Sequence, residues 1–193
     1  MEDVALFNES SLKALVRAIR LSQGQFRLIL VRCNYWELRD RMVQRLQELS
    51  SVEIRDIVLP KSVKSLYTTI KAELGDKVPN ALMVFGLESV SDLSKVLKSS
   101  NYIREEFSHH FPFPLLLWIN DDVLKKLLRL APDLESWATS VEFKLSSQEL
   151  LHFLRRKTEQ FFGSDARVNR ADCGEIEAAC HELRSRGEEL EPE

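Results

Sequence analysis

Five short apolar runs alternate along the chain with stretches in which apolar residues recur every three or four positions. The periodic stretches indicate amphipathic helices, and the short runs indicate strands. A helix is also predicted before the first run and after the last. The predicted strands cover residues 26–31, 52–59, 81–85, 113–119 and 141–145.

The apolar content of the runs indicates how the strands are arranged. Runs 26–31, 81–85 and 113–119 are apolar almost throughout, which is typical of parallel strands covered on both faces. Run 141–145 alternates apolar and polar residues, as a half-buried edge strand does. The intervening helices are long enough to connect parallel strands. The sequence therefore predicts a three-layer α/β/α fold with a mainly parallel five-stranded sheet.

Polar residues at the starts of the periodic stretches predict helix caps. Asn8 or Ser10 is expected to cap the first helix, and Ser62 the helix after the second strand. Asn120 or Asp121 is expected to cap the helix after the fourth strand. Ser146 and Glu149 have the spacing of a capping box for the helix after the last strand.

The charge is uneven along the 193 residues, whose formal total is −3. Residues 163–193 carry nine acids and four bases, a net charge of −5, which leaves +2 for residues 1–162. The last segment is also poor in large apolar side chains. We therefore predict one α/β domain over 1–162 and an acidic linker or tail over 163–193, with one short helix near 174–186.

Composition also bears on location. An odd number of cysteines, three, favours a reducing compartment without a disulfide framework. No apolar run approaches the roughly 18–20 residues of a membrane span, and the acidic first residues do not have the pattern of a secretory signal. We expect a cytoplasmic protein that does not use a membrane.

The loop after the first strand is the first place to look for a ligand, because parallel sheets bind ligands at the carboxyl ends of their strands. A phosphate cradle there needs glycines, a lysine and a Ser or Thr. This chain has no Gly between Gly24 and Gly75 and no Lys between Lys13 and Lys61. The Walker A motif is therefore absent, and we expect no cofactor and no bound nucleotide.

The loop after the third strand lacks the second part of a nucleotide-hydrolysing site. Gly86 stands where such enzymes carry an Asp, and Glu88 is the remaining catalytic candidate, although an acid after a strand usually caps the next helix or faces solvent. The absence of both motifs favours a protein that is not an enzyme. An alternative stays open, in which Arg32, Asn34 and Arg39 hold phosphates in an unorthodox loop and Glu88 activates water.

Cysteine and histidine chemistry is sparse. Cys173, Cys180 and His181 do not have the spacing of a zinc site and lack a fourth ligand, so no metal is expected. Cys33 follows a buried strand and is predicted to be a small core residue.

Surface contacts with other molecules have two sets of candidates. Tyr35, Trp36 and Trp137 are predicted either as anchors for a protein partner or as core residues. The arginines of the first helices interleave with acids, which indicates ion-paired faces rather than one phosphate-binding stripe, so nucleic acid is not the expected partner.

Several stretches together carry a resemblance to a known family. They are FRLILVRCNYWELRDRMVQRL, PNALMVFGLESV, and the proline-flanked strand FPFPLLLWIN with the LAPD and Trp137 that follow it. Over residues 10–162 the chain resembles a degenerate P-loop NTPase-like domain of the STAND/NACHT-like type. Such domains stand at the N-terminus of bacterial, notably cyanobacterial, multidomain signalling proteins, often before tetratricopeptide repeats.

The resemblance places the family's phosphate loop on residues 33–38 and its paired acids on residues 86–88. Both places depart from the family's motifs. The resemblance therefore implies a catalytically silent module that acts in signalling or regulation, through a protein partner or self-association.

Overall fold

The computed structural model describes residues 3–163 and 170–187. Five strands lie in these residues: β1 (Arg27–Arg32), β2 (Ile54–Val58), β3 (Ala81–Phe85), β4 (Pro114–Ile119) and β5 (Ala138–Glu142). The helices are α1 (Asp3–Leu21), α2 (Trp36–Leu49), α3 (Leu66–Leu74), α4 (Leu93–Tyr102), α5 (Arg104–His110), α6 (Asp121–Leu130), α7 (Pro132–Glu135), α8 (Ser147–Gly163) and α9 (Arg170–Ser185), with a 3-10 turn at Leu87–Ser89.

The strands form a single sheet in the order β2-β3-β4-β1-β5, and every pairing between them is parallel. Strands β1 and β4 are neighbours in this order, with Arg27 opposite Pro114 and Arg32 opposite Ile119. Helices cover both faces of the sheet. The predicted three-layer α/β architecture is confirmed, and the first four strands lie within two residues of their predicted bounds.

Strand β5 begins and ends three residues earlier than predicted. Val141, Phe143 and Leu145 are all buried, so the alternation in the sequence does mark an inward face. However, β5 pairs only with β1, and the last backbone bond runs from the Phe143 N–H to the carbonyl of Arg32, where β1 ends. The chain beyond Phe143 keeps its inward side chains but has no strand left to pair with.

Two of the predicted caps are confirmed at their residues. The Ser146 N–H donates to the Glu149 carboxylate at 2.8 Å, and the Glu149 N–H donates to the Ser146 hydroxyl at 3.4 Å, which completes the capping box. The Asn120 side chain accepts from the Val123 N–H at 3.0 Å and so caps α6.

Two other cap predictions are wrong. Ser65, not Ser62, caps α3 by accepting from the Thr68 N–H. Helix α1 begins at Asp3, so Asn8 and Ser10 lie inside it. The buried Asn8 amide instead bonds to both the carbonyl and the N–H of Lys144, at 2.8 and 2.9 Å, and thereby attaches α1 to the segment after β5.

The sheet separates two apolar layers. On the first face, α1, α2, α8 and α9 cover strand residues that include Ile29, Val31 and Trp118. On the second face, α3 to α7 cover residues that include Leu28 and Leu117. The alternation of side chains along each strand divides the two sets.

The short helix predicted near 174–186 is present as α9, and it packs against the first face. Ala179 and Leu183 of α9 are fully buried in the same layer as Leu38 and Trp118. Residues 164–169 and 188–193 of the predicted acidic tail lie outside the described residues, and the domain boundary near Phe162 stays a prediction. No described helix has both the length and the apolar content needed to cross a bilayer.

The connections that follow the neighbouring strands β1 and β4 run to opposite faces of the sheet. Helix α2, which follows β1, lies on the first face, whereas α6, which follows β4, lies on the second. In open parallel sheets this reversal creates a crevice at the carboxyl ends of the two strands, where ligands bind. The fold therefore directs attention to the residues that follow Arg32 and Ile119.

Candidate functional site

The crevice between β1 and β4 is occupied by an ion cluster of the protein's own side chains. At the end of β1, the Arg32 guanidinium faces the Asp121 carboxylate, with both Nε and Nη2 donating and the second bond at 2.8 Å. Its remaining terminal nitrogen lies 2.8 Å from the carboxylate of Glu142 at the end of β5. One arginine thus bridges the carboxyl ends of three strands.

The electrostatics of this cluster favour the ionised forms. The hydrogen bonds that Arg32 donates to Asp121 raise the pKa of Arg32, and the charges of Asp121 and Glu142 act in the same direction against burial. Burial raises the pKa of Asp121, but the hydrogen bond and charge of Arg32 outweigh it, so the pKa lies below its usual value. Arg32 is therefore paired with two anions, of which Glu142 is shared with Lys144 at 2.9 Å.

Asn34 is engaged in the same place. Its side-chain oxygen accepts from the Asp121 backbone N–H at 2.9 Å. Together with the Asn120 cap, this bond satisfies backbone donors at the start of α6. The loop after β1 is therefore tied to the loop after β4, and the oxygen of Asn34 serves the fold.

The N-terminus of α2 is where a phosphate would be expected in such a crevice, since helix N-termini attract anions. Here the Trp36 N–H donates to the carboxylate of Glu175 at 2.7 Å. The other oxygen of Glu175 lies 3.3 Å from the ammonium of Lys157 on α8. Glu175 and Lys157 are only 7% and 8% exposed, so this anion comes from α9 and is sealed from solvent together with its counter-ion.

A second acid of α9 faces the same loop. Burial raises the pKa of Glu182, while Arg186, 3.4 Å away, opposes that effect. Burial and the charge of Glu182 raise the pKa of Tyr35, and burial raises the pKa of Cys33 to about 12. Four carboxylates, those of Asp121, Glu142, Glu175 and Glu182, thus lie around the loop after β1, and each is paired with a cation of the protein itself.

Arg39 and Glu88, predicted as a phosphate ligand and a water-activating base, lie together. Their side chains form an ion pair with 3.1 Å between Nη1 and Oε1. The Arg39 guanidinium also sits 5.6 Å over the ring of Phe85, which stacks on the buried Trp118. Both candidates are therefore engaged with each other at the surface of an aromatic layer.

Gly86 occupies a position that no acid could take without a shift in the backbone. Its φ is +89°, a left-handed conformation that side chains disfavour, and a Cβ built there would lie 3.1 Å from the Leu59 carbonyl oxygen. A side chain there would be strained and would require the Leu59 backbone to move by a few tenths of an ångström. The backbone conformation at this position therefore favours glycine over an acid.

The three aromatic candidates for a partner surface do not form one patch. Tyr35 is only 2% exposed and packs edge-on against Phe153 at 5.3 Å, so its ring belongs to the core rather than the surface. Trp36 is exposed at the start of α2, at the carboxyl end of the sheet. Trp137 precedes β5, at the amino end, with the Arg104 guanidinium 5.7 Å over its ring.

Metal chemistry has no arranged ligand set in the described residues. No group of three or more His, Cys, Asp and Glu side chains converges there. Cys173 is exposed and Cys180 is half-buried on α9, while Cys33 is buried as expected of a core residue.

Sequence reasoning missed Glu175 and Lys157, although one signal was available. Ala179 and Leu183 mark the buried face of α9, and Glu175 lies one helical turn before Ala179 on that face. An acid within an apolar stripe needs a buried partner. The partner could not be predicted, because Lys157 lies 18 positions earlier on another helix.

Comparisons with known proteins identify no family for this chain. No protein-family model matches the sequence, and no curated protein is significantly similar to it. Among solved structures, the chain is similar to ORC1 of Aeropyrum pernix in complex with DNA, with 13% identity and a TM-score of 0.42 over 79% of this chain. It is also similar to the ADP form of ORC2 of that organism, with 14% identity and a TM-score of 0.41 over 94% of this chain.

The chain spans only 49% and 64% of the length of those two structures. At this level of similarity neither assigns a family or a function to this chain.

Proposed function

We propose that this chain is a catalytically silent P-loop-like module that acts through protein interactions, as a regulatory or signalling domain of the STAND type. The observation that carries the proposal is the Glu175 carboxylate on the N-terminus of α2. An anion is already present at the position that a nucleotide phosphate would need.

The charges around the crevice support the same conclusion. Arg32, the cation best placed for a phosphate, is neutralised by Asp121 and Glu142. A triphosphate would have to displace one of these carboxylates and then remain near the others. Because the exchange replaces one anion by another at higher local charge, it brings no electrostatic gain.

Hydrolysis would also lack its reacting groups. An acid at position 86 would be strained in the present backbone conformation. Glu88 is the only acid of residues 86–88, and it is paired with Arg39. A general base has to be within reach of the proton it removes and free to accept it.

The decisive experiment is a thermal melt of the full chain with millimolar ATP or GTP, with and without Mg²⁺. A nucleotide at 100 times its Kd would stabilise the protein by about 2.7 kcal/mol, or roughly 5–10 °C for a chain of this size. We expect no rise beyond that of a sodium chloride control at equal ionic strength. A magnesium-dependent rise of several degrees would contradict the proposal.

That contrary result would favour the unorthodox nucleotide site instead. The variants Arg39→Ala and Glu88→Gln would then separate its parts. Loss of the rise in Arg39→Ala would locate the phosphate at the start of α2, and loss of turnover alone in Glu88→Gln would identify the base.

A further inference from the structure

The outer side of α1 and α2 carries a groove of about 400 Å³ that the crevice chemistry does not use. Its floor is apolar and is formed by Leu12 and Val16 of α1 with Met42 and Leu49 of α2. Leu12 and Met42 are buried by the packing of the two helices, whereas Leu49 is 46% exposed. The floor offers a strip to which apolar side chains of another molecule can add.

The rim of this α1/α2 groove is basic. Four cations, Lys13, Arg17, Arg20 and Arg45, line it together with one acid, Glu9. On α1 the cations stand at positions that fall on one face of the helix. They form a stripe along the apolar floor.

The cations of the rim differ in how they are paired. Glu9 is paired with Lys13 at 2.5 Å, and the charge of Arg45 also lowers the pKa of Glu9. Arg45 is paired with Glu48 on its own helix at 3.0 Å. Within residues 3–163 and 170–187, Arg17 and Arg20 form no ion pair, so two charges of the rim have no counter-ion in the fold.

We propose that the α1/α2 groove docks an acidic amphipathic helix of a partner protein. The inference rests on the interaction role proposed above and specifies the partner's chemistry. Leucine-like side chains of the partner would cover Val16 and Leu49, and its carboxylates would reach Arg17 and Arg20. Helix-in-groove recognition combines these two contributions in the same way.

The apolar floor is what favours a protein over a nucleic acid. A phosphate backbone would use the cations but would leave Leu12, Val16, Met42 and Leu49 without apolar contact. The two macromolecules are therefore separable by experiment, since both are sensitive to salt but only one depends on the floor.

The test uses the full chain and a fluorescent synthetic peptide of roughly 18 residues, with Leu at helical i, i+3, i+4 and i+7 spacing and Glu at the other positions. Binding is followed by fluorescence anisotropy. We expect saturable binding that weakens as salt rises. Two control peptides are used: one replaces every Glu by Lys, the other replaces every Leu by Gln, and neither should bind.

Variants then locate the site. The double variant Arg17→Glu with Arg20→Glu should weaken binding at least about tenfold. Its matched control on the opposite face is Lys126→Glu with Arg129→Glu, two exposed cations of α6 at the same spacing. That control should bind the peptide as the parent does.

A second pair of variants tests the floor. Leu49→Ser should weaken binding by about fivefold, the loss expected for a half-exposed leucine that becomes covered. Leu128→Ser, at a leucine that is 50% exposed on α6, should have no effect. Melting temperatures measured alongside show that each variant is folded.

The results that would overturn the proposal are distinct. Absence of peptide binding, or binding that the groove variants leave unchanged, contradicts it directly. Binding of a duplex DNA of similar charge that depends on Arg17 and Arg20 but not on Leu49, with none of the peptide, would assign the groove to nucleic acid instead. None of these results depends on whether a nucleotide binds. The thermal melt with nucleotide therefore tests the proposed function independently of the groove.

Discussion

The crevice at β1 and β4 and the α1/α2 groove both contain arginines, but the fold treats them in opposite ways. In the crevice, Arg32 meets the carboxylates of Asp121 at the start of α6 and Glu142 at the end of β5, and Lys157 meets a buried carboxylate from α9. In the groove, Arg17 and Arg20 have no ion pair with the described residues. The comparison teaches that a charge is informative about binding only after its intramolecular partners are known.

The largest loss of stability is expected when the buried ion pair of Glu175 and Lys157 is broken. Glu175→Ala leaves Lys157 without this buried carboxylate and the Trp36 N–H without its acceptor. We expect a loss of about 3 kcal/mol in the free energy of unfolding, measured by urea denaturation. Glu177→Ala, at an exposed acid of the same helix, is the matched control and should change it by less than about 0.5 kcal/mol.

Equal effects of the two substitutions would mean that Glu175 does not hold the α2 N-terminus in solution. The central support for a silent crevice would then be lost.

A smaller loss of stability is expected when the partly exposed ion cluster around Arg32 is broken. Arg32→Met keeps the apolar stem but removes the cation that Asp121 shares with Glu142, while Glu142 keeps its pair with Lys144. We expect a loss of about 2 kcal/mol at pH 7, below the full cost of breaking a buried pair because solvent reaches all three side chains.

The pH dependence of that loss is a sharper check. Arg32 holds the folded pKa of Asp121 below its ordinary value of 3.8, so its contribution is present above that pH and is lost as the pH falls through the folded pKa. The stability difference between the parent and Arg32→Met should therefore shrink on acidification below about pH 4. A difference that stays constant from pH 7 to pH 3 would show that the pair does not act through charge.

The smallest change in stability is expected when an arginine of the α1/α2 groove is replaced. Arg17→Met, the same substitution at an exposed cation that has no ion pair within the described part of the chain, should change the free energy of unfolding by less than about 0.5 kcal/mol. Urea denaturation beside Arg32→Met gives the contrast directly. A loss similar to that of Arg32→Met would mean that Arg17 has a structural partner, and the groove would no longer offer an unneutralised charge.

Local pattern was sufficient for the elements that depend on nearby residues. The apolar runs at 81–85 and 113–119 predicted β3 and β4 within one residue, because strands buried on both faces have to be apolar throughout. The Ser146 capping box was predictable because both of its partners lie within one helical turn. The absence of glycine and lysine after β1 was likewise visible in the order of residues.

Contacts between distant residues required the tertiary structure. Asn8 has the composition of a cap, yet it serves Lys144, which lies 136 positions away. Tyr35 could be predicted from the sequence either as a surface anchor or as a core residue, and the contact with Phe153 of α8 shows that it is a core residue. For Asn8 the local preference for a cap position is worth about 1 kcal/mol, and its two buried hydrogen bonds to Lys144 outweigh it.

What the sequence determined by itself is the class of fold and the lack of a phosphate-binding motif, since both follow from side-chain periodicity and composition over short stretches. Only the tertiary structure decided which side chains occupy the crevice and which described cations have no ion pair. The physical reason is that charges interact through space: Glu175 reaches Trp36 across 139 positions, and no spacing rule connects them.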